Sequence, residues 1–425
     1  MIYRRKLASI TAVAALAVGL AACSSSAKSG SSSTTTSGSS TTGAASSSTV
    51  GAPSGPAIKV GLICTCSGGG GLAAVVAPGA DMYKAWAQTV NASGGLAGHP
   101  VQVVAEDDAG NPGTSSSEAQ ALIAQHVVAI ADLSIVDQTW APTVQAAKIP
   151  VVGVLTYESP FGTNPDFYPE AQTNDSAIYA VVKTAKAAGA TSMANVYCAE
   201  APICAQSVPA FKAIGGQLGL PVSYNAEVAA TAPNYTAQCL AAQQQGIKSV
   251  FIGEAQPIII RIAGDCTTQG YKPVYVTEGA GFGLKMASAP GLRDGLWTEF
   301  PAYPFFDTSS RAVQAADAAM DKYYPGERQN QSVFLQQDFM AWTSGQLLAD
   351  AVKAGGLSAA ATPSAAEVVS GLDSLKGDTV GGLTAPLTFT AGQPHTDDCW
   401  FTARVQNGTP TLLDQGRVSC EKSSS

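Results

Sequence analysis

Histidine is nearly missing from this chain: His99, His126 and His395 are the only three, each isolated in sequence. That argues against a metal centre built on imidazole, which needs several ligands at short spacing. No Cys-x-x-Cys pair occurs either, so a zinc site built on thiolates is equally unsupported. Basic charge is scarce. Lys and Arg number 23 against 31 Asp and Glu, a net charge of −8, and the isoelectric point is near 4.9. Such a balance leaves no basic face for nucleic acid. Also absent are a Gly-x-Ser-x-Gly elbow, a His-Glu-x-x-His pair and a complete nucleotide loop, which weighs against a secreted hydrolase or oxidoreductase. No internal repeat of fixed short period is present. Charged residues make up only 13% of the chain and apolar ones 46%, ample for a large core and contrary to disorder.

The first segment, 1–22, combines Arg4, Arg5 and Lys6 with an apolar core from Ile10 to Leu20. It is too short for a membrane span of about 20 apolar residues and reads as an export signal. It ends in Leu20-Ala21-Ala22-Cys23, which resembles the bacterial lipobox; that resemblance implies lipidation of Cys23, the alternative being a soluble exported protein cleaved nearby. Residues 23–56 are almost wholly Ser, Thr, Gly and Ala after the cysteine. They cannot bury enough apolar surface to offset their ordering entropy, and read as a flexible tether.

The fold is organised around Ile58-Lys-Val-Gly-Leu-Ile-Cys-Thr-Cys-Ser-Gly-Gly-Gly-Gly71. A branched apolar run followed by glycines predicts a buried parallel strand and a tight turn, and Leu72–Asn91 then reads as a helix. In such sheets ligands sit beyond the carboxyl ends of the strands, so a site is expected to begin near Ser67. A phosphate loop would need Lys-Ser or Lys-Thr after the glycines, and a dinucleotide loop a third glycine where Ala74 stands. A flexible turn at a cleft remains.

About 370 residues follow the tether, more than one domain of about 100–200. Strands are predicted at Val101–Ala105, Val127–Leu133, Val151–Leu155, Met193–Tyr197, Val222–Val228, Ser249–Ile252 and Val274–Val276, with helices between them. This alternation predicts an α/β protein with parallel-rich sheets, and so many strands fit two sheets better than one. After Phe300 three helices and an antiparallel tail are expected, the tail strands being Leu387–Thr390, Cys399–Val405 and Thr411–Leu413.

Of nine cysteines, Cys23 is assigned to lipid; Cys64, Cys66, Cys198, Cys204, Cys239, Cys266, Cys399 and Cys420 form an even set. Outside the cytoplasm such a set reads as disulfides, whose pairing sequence alone leaves open. Nearness favours Cys198–Cys204, Cys239–Cys266 and Cys399–Cys420, with a Cys64–Cys66 bridge also open to the chain.

From Ile58 to about Gln415 the chain resembles the type I periplasmic binding proteins of the leucine/isoleucine/valine-binding kind. The likeness rests on Ile58–Ile63 with Ser67-Gly68, on Asn91-Ala-Ser-Gly-Gly-Leu-Ala-Gly98 and on Glu106-Asp107-Asp108. Further marks are Gln269-Gly-Tyr-Lys-Pro273, Glu278-Gly279 and Ala385-Pro-Leu-Thr-Phe389. The resemblance implies two Rossmann-like lobes joined by three hinge strands, 57–173 plus 302–384 and 174–301 plus 385–425. It implies an extracytoplasmic, lipid-anchored, monomeric binding protein of an ABC importer, with permease subunits as partners, no cofactor and no chemistry. A ligand sensor of the same fold is the alternative.

In that family the ligand carboxylate meets hydroxyls and main-chain groups matching Ser67, Ser134, Ile135, Thr156 and Tyr157, and its ammonium a glutamate placed like Glu278. The implied solute is small and polar, an amino acid or amide-like. Two departures stand out. Glycines replace the aromatic near the first loop, and Ala255 replaces a tyrosine after Gly253, which points to a larger or less amino-acid-like solute. For Ser134 and Thr156 the plain alternative is a hydroxyl bonded to nearby backbone. For Glu278 it is a surface carboxylate or the cap of a helix starting near Phe282. Trp140 reads as packing.

Overall fold

The computed structural model describes residues 51–68 and 72–421. The signal segment, Cys23, tether residues 24–50, the glycines at 69–71 and the last four residues lie outside the described residues. In chain order the first elements are β1 (Ile58–Cys64), α1 (Ala73–Ala92), β2 (Val101–Asp107), α2 (Pro112–Ala124), β3 (Ala129–Leu133), α3 (Ala141–Ala147), β4 (Val151–Val154) and β5 (Phe167–Tyr168). They build a sheet of order β2-β1-β3-β4-β5 in which every neighbouring pair is parallel. The interior strands β3 and β4 are buried at every position, as strands covered on both faces must be. β2, at the edge, mixes buried and exposed positions.

Next come α4 (Asn174–Ala187), β6 (Met193–Cys198), α5 (Pro202–Gln206), α6 (Val208–Gln217), β7 (Val222–Val228) and α7 (Thr236–Gln244). These are followed by β8 (Ser249–Gly253), α8 (Gln256–Thr268), β9 (Val274–Glu278), α9 (Leu284–Ser288) and β10 (Leu296–Phe300). The helices α10 (Arg311–Tyr323), α11 (Gln336–Ala354) and α12 (Ala365–Ser374) precede β11 (Lys376–Asp378) and β12 (Leu387–Thr388), which pair with each other. The tail is β13 (Cys399–Gln406), β14 (Thr409–Leu412) and β15 (Ser419–Cys420). The second sheet runs β14-β13-β10-β9-β8-β6-β7, with β15 on β13. From β7 to β10 its pairs are parallel; β13, β14 and β15 add antiparallel.

The α/β class and the two parallel-rich sheets match the expectation from alternation. Two elements do not. Leu296–Phe300 is a central strand although it carries Glu299, which is fully buried. Residues 324–335, partly expected as helix, are turns and loop, and α11 starts only at Gln336. Residues 202–206, which follow β6 and carry Cys204, form the short helix α5 between the predicted strands.

Local chemistry explains the better-defined starts. Asn111 accepts from the amides of Gly113 and Thr114, with Pro112 opening α2. Ser364 and Glu367 form a reciprocal capping box on α12. Helix α1 is buried on most of its surface and packs on α11. Gly345 of α11 makes room for the Trp86 ring there, since a Cβ would lie 2.3 Å from the indole. All eight expected cysteines are paired, as Cys64–Cys66, Cys198–Cys204, Cys239–Cys266 and Cys399–Cys420. Among the described residues no helix is long and apolar enough to cross a membrane.

Candidate ligand-binding cleft

A cleft enclosing about 950 Å³, its open mouth included, is lined from both sheets. One wall is formed by the start of α1 (Leu72, Val75, Val76), by Ile135 after β3 and by Tyr157 and Glu158 after β4. The other comes from β6, β8 and β9 and the turns that follow them, including Glu254, Glu278 and the Cys198–Cys204 bridge. Every contributing strand offers its carboxyl end, the place where open parallel sheets leave a crevice. The N-terminal turn of α11 supplies Gln337.

Glu278 closes β9 and lines the cleft, half-buried. The capping alternative is removed by geometry: α9 begins at Leu284 behind Gly283, and the 3₁₀ turn at Gly279–Gly281 receives no side-chain cap from Glu278. Burial raises its carboxyl from 4.5 to about 7. Its register partner on β10, Glu299, is fully buried and is pushed well up by burial and then by Glu278, against a smaller opposing effect from the Gly279 amide.

Ile135 and Tyr157 line the cleft with Glu278; Ser67, Ser134 and Thr156 do not. The reason is visible in their bonds. Ser134 is wholly buried and donates to Asp108 Oδ2 at 2.5 Å, while its own amide donates to Asp132 Oδ1. Thr156 donates to the Gln172 carbonyl at 2.7 Å. Ser67 is exposed, its amide held by Asp107 Oδ1 at 3.0 Å. Asp108 gathers Thr65, Ser115 and Gly110 as well, so one buried carboxylate knits the loops after β1, β2 and β3 together. The Ile135 amide in turn donates to Thr65 Oγ1. Trp140 is wholly buried, stacked on Phe167.

Two wall residues escaped sequence reading. Glu158 is 1% exposed and neither carboxyl oxygen has a hydrogen-bond partner. Its carboxyl is pushed well above the ordinary range by burial and then by the nearby Asp137. Glu254 follows β8 as Glu278 ends β9; its Oε2 accepts from the Ala255 amide, its Oε1 has no partner, and burial, then Glu200, raise it to about 8. The signal was available for Glu254, an acid directly after an apolar strand, one residue before the Ala255 that drew notice. The Tyr157 hydroxyl is raised first by burial, then by Glu158 and Glu278, so it stands between the acids of the two walls. Among the described residues no cluster of three His, Cys, Asp or Glu is arranged to hold a metal ion.

Residues 57–410 match the family described as "Periplasmic binding protein". Solved structures of similar fold include a fatty acid ABC transporter substrate-binding protein from Thermomonospora curvata, 15% identical with a TM-score of 0.68 over 86% of this chain and 93% of that one. A leucine-binding protein from Thermotoga maritima is 15% identical, with a TM-score of 0.67 over 85% and 99%. An R. palustris ABC transporter solute-binding protein in complex with benzoate is 16% identical, with a TM-score of 0.68 over 86% and 98%. Among curated proteins none matches this sequence. With two parallel-rich sheets facing one cleft and a family match over most of its length, the chain belongs to the periplasmic binding protein family, which implies an extracytoplasmic location, and has the type I fold of that family.

Proposed function

We propose that the chain is the solute-capturing lipoprotein of an ABC importer. Held to the cell membrane through Cys23 and its tether, it closes two lobes on a small polar solute and hands it to permease subunits. The lobes are taken as 57–173 plus 302–384 and 174–301 plus 385–425, which would put one of the two large sheets in each. The chain would cross between these lobes near residues 173, 301 and 384, and these crossings would serve as hinges, bending a few backbone angles while the sheets stay rigid. The cleft carries this reading: both sheets contribute strand ends to it, so a solute held there contacts both and favours the closed state.

No reaction is required, and the carboxylates of the walls serve as recognition groups. Leucine, fatty acid and benzoate appear in the names of structures sharing this fold, so the fold leaves the solute class open. Amino-acid and amide-like solutes share an N–H group able to donate to Glu278, and that part of the expectation is the one the walls support. Mass spectrometry of small molecules released from the purified, denatured protein tests the reading. A discrete solute is expected, and its return to stripped protein should reduce the radius of gyration in small-angle scattering. Turnover of that solute would refute a binding-only role.

A further inference from the structure

The polar groups of the cleft are one-sided. Among the described residues its walls carry no Lys, Arg or His, and three carboxylates: Glu158 on the wall of the first sheet, Glu254 and Glu278 on that of the second. Both oxygens of Glu158 and Oε1 of Glu254 are buried with nothing donating to them. Burial favours their protonated form in the empty cleft, and a ligand cation would favour the ionised, accepting form in its place. The side-chain amides of the cleft are, in contrast, engaged, which leaves the hydroxyls of Tyr157 and Tyr197 as its uncharged donors. Gln337 Nε2 donates to the Val75 carbonyl at 2.6 Å, Asn195 Nδ2 to Asn225 at 3.3 Å and Asn174 Nδ2 to Asp175 at 3.3 Å. Ser207 donates to Asn174 Oδ1 or to the Ile203 carbonyl.

A ligand carboxylate would therefore enter a cleft with three acids and no cation to answer it. Thr65, Ser134 and Thr156 give their protons to Asp108 and to Gln172 behind the wall, and the Tyr157 and Tyr197 hydroxyls on the wall itself bring no positive charge. An anion taken out of water without a partner is strongly disfavoured. An ammonium meets the opposite situation, with three acids on the walls and no competing cation. The remaining walls are apolar: Val75, Val76 and Ile135 on one side, Ile203, Phe211 and Ala255 on the other.

We infer that the cleft takes an organic amine with an apolar body and no carboxylate, its ammonium held between Glu158 and Glu278. This rests on the solute-capture reading and narrows it, replacing the α-amino acid by its decarboxylated counterpart. The apolar walls would bury the body of the amine, and Glu158, contributed by the other wall, would couple the ammonium to closure.

The test is a matched set with one shared phenyl body: 2-phenylethylamine, phenylalanine and 3-phenylpropanoate. Each is titrated calorimetrically at pH 7.5 into the protein freed of bound solute with its disulfides intact. The amine is expected to bind, phenylalanine at least tenfold more weakly, and phenylpropanoate to give no heat of binding. Glu158→Gln, which keeps shape and volume, is expected to weaken the amine at least tenfold with an unchanged far-UV spectrum. Phenylalanine or phenylpropanoate binding as tightly as the amine overturns the assignment while leaving solute capture standing. Silence from all three, or an unaltered amine affinity in Glu158→Gln, overturns it too. The mass of the co-purifying solute judges the capture reading separately.

Discussion

Replacing Glu278 by Gln isolates what a cleft carboxylate costs the empty protein. The folded-state carboxyl titrates near 7 against an ordinary 4.5, because burial disfavours its charged form. Folding therefore retains a proton that the unfolded chain releases between those two values. The stability associated with the protonated group is fully present below pH 4.5 and is lost as pH rises through 7. At about 1.4 kcal/mol for each tenfold displacement, the loss amounts to about 3 kcal/mol by pH 8. Glutamine cannot ionise and keeps the shape, so it escapes this loss. The variant should match the wild type near pH 4.5 and exceed it by about 3 kcal/mol at pH 8. Glu299, beside Glu278 in the β9–β10 register, is raised in part by the Glu278 charge, so its relief in the variant adds to this gain. Other raised carboxyls, Asp137 and Asp397 at about 7 among them, are common to both proteins and cancel in the difference. Equilibrium urea unfolding of the solute-free protein, disulfides intact, measures this across pH 4.5–8. Parallel stability curves for wild type and variant would sink the argument, because they would mean that Glu278 is ionised at no cost and is well hydrated.

Three further outcomes are expected. Cys23→Ala should move the protein from the membrane fraction to the soluble one, since acyl chains contribute about 0.8 kcal/mol per buried CH₂; a wild type already free of the membrane contradicts lipidation. Replacing both Cys239 and Cys266 by Ala removes a cross-link of sequence separation 27 between α7 and α8. The chain-entropy relation gives a loss of about 3.5 kcal/mol in urea unfolding, and an unchanged midpoint would show that the unfolded chain gains nothing from the cut. Gly345→Ala places a methyl 2.3–2.7 Å from three indole atoms of the buried Trp86. Overpacking of about 1–3 kcal/mol should outweigh the gain in helix propensity of about 1 kcal/mol, so a higher melting temperature in the variant would refute the tight fit.

How far the sequence carried the reading follows from which interactions are local. The interior strands were legible because each is predominantly apolar with at most one or two polar residues, and β7, β8 and β9 begin at the expected residues. Glu278 was legible for the same reason: a strand ending in an acid puts that acid at the rim of a parallel sheet whatever the rest of the chain does. β10 was not, because Glu299 in its middle contradicts an apolar pattern; its burial depends on β9 and β13 lying on either side, which are distant in sequence. The hydroxyls fail differently. Ser134 and Thr156 stand on the expected loops, and the backbone there is as the resemblance implied. Whether they face a ligand is decided by Asp108 and by the Gln172 carbonyl, 26 and 16 residues away. Those two acceptors turn the hydroxyl protons inward, and Tyr157 and Glu158 of the loop after β4 line the cleft. A buried Asp and a backbone carbonyl behind the wall thus remove two hydroxyls that the resemblance assigns to the ligand. Family resemblance fixes where a solute sits in this fold; the partners of the buried acids determine which end of an amino acid, if either, can be recognised there.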